Sequence, residues 1–274
     1  MKKSAFFVFV FSCICSVIGA VLYSCVLMYS TDELTGFIDE SGSYFAFMWV
    51  LGIIFLAVAG VYAATYKYNW YKSFQSIITN THPVFISTNI AAAVFMLSSA
   101  IFDLGRFVTN GFAMTAAIRA VFALTAFSAM LKIVSANIRG VVDGLYSIYA
   151  LIPTIWCGFT FMLIFKDNSP NPIIAAYILE LLAGLCIMLS VFRYSSFSFR
   201  RKGLRFCVFF SLAAMFFTCS YYGGELLACI NSGRALSEPL AEALGMFGMM
   251  IYSSANAYNL MLKNADTSPF EFFG

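Results

Sequence analysis

The sequence predicts an all-α polytopic transmembrane helical bundle of about eight spans, and three observations predict it. Of 274 residues, 61% are apolar and only 11% are charged, with a mean hydropathy of +0.86; soluble domains run nearer roughly 45–50% and 25%. The apolar residues fall in continuous runs of the length, roughly 20 residues, that a helix needs to cross a ~30 Å hydrocarbon core. The connections are short: the longest, 67–82, has 16 residues, too few for an independent soluble core. A soluble enzyme, a disordered chain, a coiled coil and a disulfide-stapled secreted domain are thereby excluded. Barrel strands would alternate apolar with polar residues, and open backbone is not tolerated in lipid, so the runs are helices of one integral membrane domain spanning 1–274.

The first run, 5–29, follows Met1-Lys2-Lys3. A lysine-led apolar run resembles a signal peptide, and Leu22-Tyr23-Ser24-Cys25 resembles a lipoprotein cleavage box. The run is too long for a signal h-region and Tyr23 sits where a small residue belongs, so it is read as a retained helix. The second, 44–66, ends in Tyr62, Tyr66, Tyr68, Trp70 and Tyr71, an aromatic belt of the kind found at membrane interfaces. The third, 83–102, opens on Pro83, where a missing N–H costs nothing; His82 before it reads as a helix-entry residue. Ser87, Thr88 and Asn89 lie one turn in, and Asp103 and Arg106 follow its far end. The fourth, 113–134, contains Arg119.

The fifth span, 141–165, carries Pro153, which removes a hydrogen bond to the carbonyl of Tyr149 and should bend the helix. Asp143 at its start suits the positive end of the helix dipole. Gly140-x-x-x-Gly144, like Gly60-x-x-x-Ala64, reads as a small-residue packing pair. The sixth, 173–192, opens after Pro172 and contains Glu180. The seventh, 206–228, contains Glu225. The eighth, 241–262, opens after Pro239 and carries Glu242 near its start and Ser253, Ser254, Asn256 and Asn259 farther on. Spans five to eight follow one to four at a near-constant offset, but little beyond a Gly-Arg pair matches between the halves. Even looping alone produces that spacing.

Lysine and arginine set the orientation. Of 16 such residues, Arg106, Lys166 and Arg234 fall on one side, Arg119 lies inside a span, and the rest fall on the side of the N-terminus. The positive-inside rule then places both termini in the cytoplasm of a cell (inner or plasma) membrane. Arg193, Arg200, Arg201, Lys202 and Arg205, interleaved with Tyr194, Phe197 and Phe199, suit anionic lipid head groups of the inner leaflet at about 1 kcal/mol per charge. That segment is too short for a nucleic-acid interface.

Function is sought among the charges in the membrane, which are costly and usually face a partner or a water-filled cavity. Arg119, Glu180, Glu225 and Glu242 form the candidate intramembrane polar site. Ala116, Ala123 and Ala126 share the face of Arg119, a small-residue stripe that turns it toward protein. Glu180 lies at matching depth and is the first expected partner of Arg119, with Glu225 second; Glu225 and Glu242 also read as near-interface, solvated groups. The polar residues of the third and eighth spans would join them if those helices are neighbours, either as a path across the membrane or as interhelical hydrogen bonds.

No motif points to catalysis or to a cofactor. His82 is the one histidine, there is no His-Glu-x-x-His and no glycine-rich phosphate loop. The eight cysteines show no Cys-x-x-Cys spacing, so no metal site is expected, though Cys25 and Cys229 lie near the same face and allow a disulfide. Two functions remain. One is a small-solute or proton-coupled transporter or permease; the other is a non-catalytic membrane subunit or sensor that acts through a membrane or cytosolic protein partner.

Overall fold

The structure, a computed structural model, describes residues 2–31, 42–65, 78–109, 113–142, 144–170, 174–199, 203–233 and 239–265. Among them there is no strand. The helices in chain order are α1 (Lys2–Tyr29), α2 (Ser43–Thr65), α3 (Pro83–Thr109), α4 (Met114–Arg139), α5 (Tyr146–Asn168), α6 (Ile174–Ser198), α7 (Leu204–Ser232) and α8 (Leu240–Ala265). All of the expected spans are present as helices, and α1 to α7 are long and apolar enough to cross a membrane. Large apolar side chains such as Phe47, Ile53, Val61 and Met162 stand on the outer surface, exposed hydrocarbon of the kind that suits a lipid bilayer. The chain is a multi-pass membrane protein.

Several helices overrun the apolar runs that announce them. α3 continues to Thr109, seven residues past the expected end, and α6 to Ser198; a helix need not stop where hydrocarbon stops, because its backbone bonds are internal. The fifth starts later than expected. Gly140 ends α4 in the left-handed conformation, φ +67°, with its N–H on Ala136 and Asn137, and α5 begins only at Tyr146. Gly140 and Gly144 are therefore a turn, not a helix-packing pair, and a Cβ on Gly144 would meet nothing within 4 Å. α5 runs unbroken through Pro153. His82 is the helix-entry residue expected: its carbonyl accepts the N–H of Ile86 and its ring Nδ1 that of Val84. Asp143, Pro172, Arg200 to Lys202 and the aromatic cluster from Tyr66 onward lie outside the described residues.

α8 and α7 form the centre. In α8 no residue from Ala241 to Lys263 is exposed, and α7 buries 72% of its most apolar stretch against 22% for α2. This explains how α8 can carry polar side chains: its neighbours are protein, so side chains that hydrocarbon would reject can be paired. α3 packs against both α4 and α8, α6 against α5 and α7, and α1 against α2 and α7. Glycines permit the closest approach. A Cβ on Gly248 would lie 3.0 Å from the carbonyl oxygen of Ala92 and 3.0 Å from Cβ of Phe95, and one on Gly245 would collide with the ring of Trp156 and the hydroxyl of Ser99. Small residues at such crossings let backbones meet where no hydrophobic force distinguishes protein from lipid.

Two other expectations change. Cys25 and Cys229 are both free thiols. Tyr194 and Phe197 are core residues rather than interfacial ones: each is buried, and the Tyr194 hydroxyl lies 2.9 Å from that of Tyr146. The helix α6 extends past the apolar run and carries them inside. Arg193 on the same helix stacks over Phe206, 5.3 Å from its centroid, and Phe199 and Arg205 are exposed.

Candidate functional site

The end of the bundle opposite the chain termini holds a buried charge cluster built on Arg119. The side chain rises from α4 on the face of Ala116, Ala120, Ala123 and Ala126, all buried, and the missing bulk of these alanines leaves room for it. Its guanidinium grips Asp103 of α3 with two bonds, Nε to Oδ2 at 2.8 Å and Nη2 to Oδ1 at 2.7 Å. The third bond runs from Nη1 to Oε2 of Glu242 on α8 at 2.7 Å. Parallel double bonding to one carboxylate fixes both distance and plane, which a lysine could not do.

The second carboxylate is held from the other side by α7. There the helix widens into a π turn, Cys219–Gly223, a rare irregularity that often sits at functional sites. It presents two adjacent tyrosines, their rings 4.9 Å apart and near-perpendicular. Tyr222 donates to Oε1 of Glu242 at 3.0 Å, and Tyr221 donates to Oε2 of Glu180 at 3.4 Å. Asn168, at the end of α5, donates to the same Glu180 oxygen at 3.0 Å. The adjacent tyrosines Tyr221 and Tyr222 thus tie Glu180 and Glu242 into one polar layer. Asp103, Arg119, Glu180 and Glu242 are 0–4% exposed, and side chains from six helices, α3 to α8, meet within one layer.

The expected pairing is corrected here. Arg119 pairs with Asp103 and Glu242, not directly with Glu180 or Glu225. Glu242 is buried in an ion pair rather than solvated. Asp103 escaped the expected set because it lies one residue beyond the apolar run 83–102; only the extension of α3 carries it inside. Glu180 joins the cluster through Tyr221, beside Tyr222 on Glu242. Glu225 is likewise buried rather than solvated, on α7 one residue past Gly224, and the ion pairs of Arg119 do not run through it. The tyrosine pair had no sequence signal beyond Gly223-Gly224 after it.

At the terminal end of the bundle α8 meets its neighbours through amide groups. Asn256 of α8 donates to Asn89 of α3 at 3.3 Å, Asn80 donates to Asn259 at 2.9 Å, and Asn259 donates to the carbonyl of Ile78 at 3.1 Å. The third and eighth spans are thus neighbours, and their polar residues meet. Beside this amide ladder lies a cavity of about 700 Å³ lined from α1, α3, α7 and α8. Among the described residues, no group of three or more His, Cys, Asp and Glu is placed to hold a metal ion. Compared with protein-family models, curated proteins and solved structures, the chain matches none.

Proposed function

We propose that the protein is a proton-coupled transporter or permease for small solutes, not an enzyme, with the Arg119 cluster as its coupling site. The observation that carries this reading is the burial of three carboxyl residues, Asp103, Glu180 and Glu242, in one layer with a single guanidinium. Ionised carboxylates crowded in a dry interior repel, which favours a proton on one of them. Arg119 is already matched by Asp103 and Glu242, so a proton on Glu180 keeps a further negative charge out of the cluster. Glu242 is bonded to the Arg119 guanidinium and Glu180 is not, so Glu180 is the residue we infer carries the proton. Removing it would leave two adjacent negative charges in a dry interior, a state relieved only by opening the cluster. Such a bistable element is what couples proton binding to access from one side or the other.

The transport reading places both termini in the cytoplasm of a cell membrane, where Arg193, Arg200, Arg201, Lys202 and Arg205 would meet anionic lipid. It is tested in proteoliposomes, with uptake of a panel of amino acids, sugars and organic anions driven by an imposed pH gradient. The parent should accumulate at least one solute, and Glu180→Gln, which keeps the hydrogen bonds but cannot lose a proton, should retain exchange and lose gradient-driven accumulation. Unchanged accumulation by Glu180→Gln would overturn it.

A second reading, a membrane subunit or sensor, is favoured by the sealing of the cluster: its four charged side chains are almost wholly shielded from solvent, as in a structural ion-pair lock. That reading expects co-purification with another protein and no transport by the isolated chain.

A further inference from the structure

The cavity at the terminal end has a chemistry distinct from the charge cluster. At about 700 Å³ it is the size of a small-molecule site. Its lining follows α8 from Met250 to Lys263, about 20 Å at 1.5 Å per residue, somewhat more than the ~15 Å depth of one leaflet. The lining is apolar over its deep part, with Met215 of α7 and Met250 and Ile251 of α8, and Phe9 of α1 closes one side. α1 packs on α2 and α7 while α3 packs on α4 and α8, so the cavity lies between two helices that reach it from different sides of the core.

Its charged group, Lys263, lies at one end together with His82, and among the described residues no acidic side chain belongs to the lining. The Nδ1 of His82 accepts the Val84 N–H, which leaves Nε2–H as a donor. The end of α3 that begins at Pro83 also faces it through Val84 and Phe85, and the start of a helix is its positive pole. A long apolar trough with a cationic mouth at the depth of the head groups matches one kind of molecule.

We propose that this cavity binds a single acyl chain bearing an anionic head group, drawn from the surrounding leaflet, with the chain along α8 and the head at His82, Lys263 and the start of α3. The site does not depend on the transport reading.

Native mass spectrometry of the detergent-purified full chain, titrated with oleate below its micellar concentration, tests it. One saturable oleate per chain is expected, retained at least ten-fold more tightly than oleyl alcohol. Ala255→Trp, which fills the trough, should weaken oleate at least ten-fold; Ser254→Leu is the milder filling variant should the first fail to fold. His82→Gln combined with Lys263→Gln should weaken oleate several-fold and leave oleyl alcohol unchanged. Equal binding of oleate and oleyl alcohol, non-saturable uptake, or full binding by the folded filled variant would overturn the proposal.

Discussion

The two ends of α8 solve the same problem in opposite ways. Near its start, Glu242 is locked to Arg119 at 2.7 Å and capped by Tyr222 at 3.0 Å, with no room beside it for solvent. Near its finish, Asn256 and Asn259 pair with neutral amides at 2.9 to 3.3 Å next to an open cavity. The difference follows from charge. An unpaired ion in a low-dielectric interior costs several kcal/mol, so a charged layer must be complete to exist. A neutral amide ladder is worth only about 0.6 kcal/mol per contact and can stand beside empty space. The charged end is therefore the stiff part of the molecule and the amide end the accommodating part.

Breaking the charged end should have the largest effect. Arg119→Ala leaves Asp103 and Glu242 facing each other without a counter-ion, and we expect a loss of about 3–5 kcal/mol, read as a sharp fall of the thermal midpoint in detergent. Replacing Arg119, Asp103 and Glu242 together by leucine sharpens the point. Because paired charges gain little over well-packed apolar groups, the triple variant should be more stable than Arg119→Ala while losing gradient-driven transport. A triple variant less stable than the single one would show that the layer holds the fold by more than charge balance.

Next in size is Gly245→Val, at the crossing of α8 with α3 and α5. Its side chain meets Trp156 and Ser99, and overpacking of this kind costs about 1–3 kcal/mol, measurable in the same melting experiment. Tyr222→Phe removes one donor from Glu242 and should cost about 1 kcal/mol. The smallest effect belongs to the amide end: Asn256→Ala should cost about 0.6 kcal/mol. If Asn256→Ala destabilised as much as Arg119→Ala, the contrast between the two ends would fail.

The fold was legible because lipid imposes a length and a polarity on each span. The apolar runs located all eight helices, and the alanine stripe correctly turned Arg119 inward. Helix ends were less legible, since α3 and α6 continue after hydrophobicity fades. That overrun decided the site. Asp103 sits one residue outside its apolar run, and Tyr194 and Phe197 sit among basic residues that resemble an interface. Which helices touch is not written in any single span, so the partner of Arg119 was misassigned between carboxylates at similar depth. Glu242 looked solvated because the first turn of a span usually is; here the turn is covered on every side. The π turn that aims Tyr221 and Tyr222 leaves no local pattern to read.

The central claim is that Glu180 carries a proton beside the pair of Arg119 and Glu242. Infrared spectroscopy of the purified protein at neutral pH tests it most directly, through the carbonyl stretch of a neutral carboxylic acid. The parent should show that band, shifted in heavy water, and the difference spectrum against Glu180→Gln should contain it in full. A parent spectrum without the band, or a band that survives unchanged in Glu180→Gln, would contradict the account.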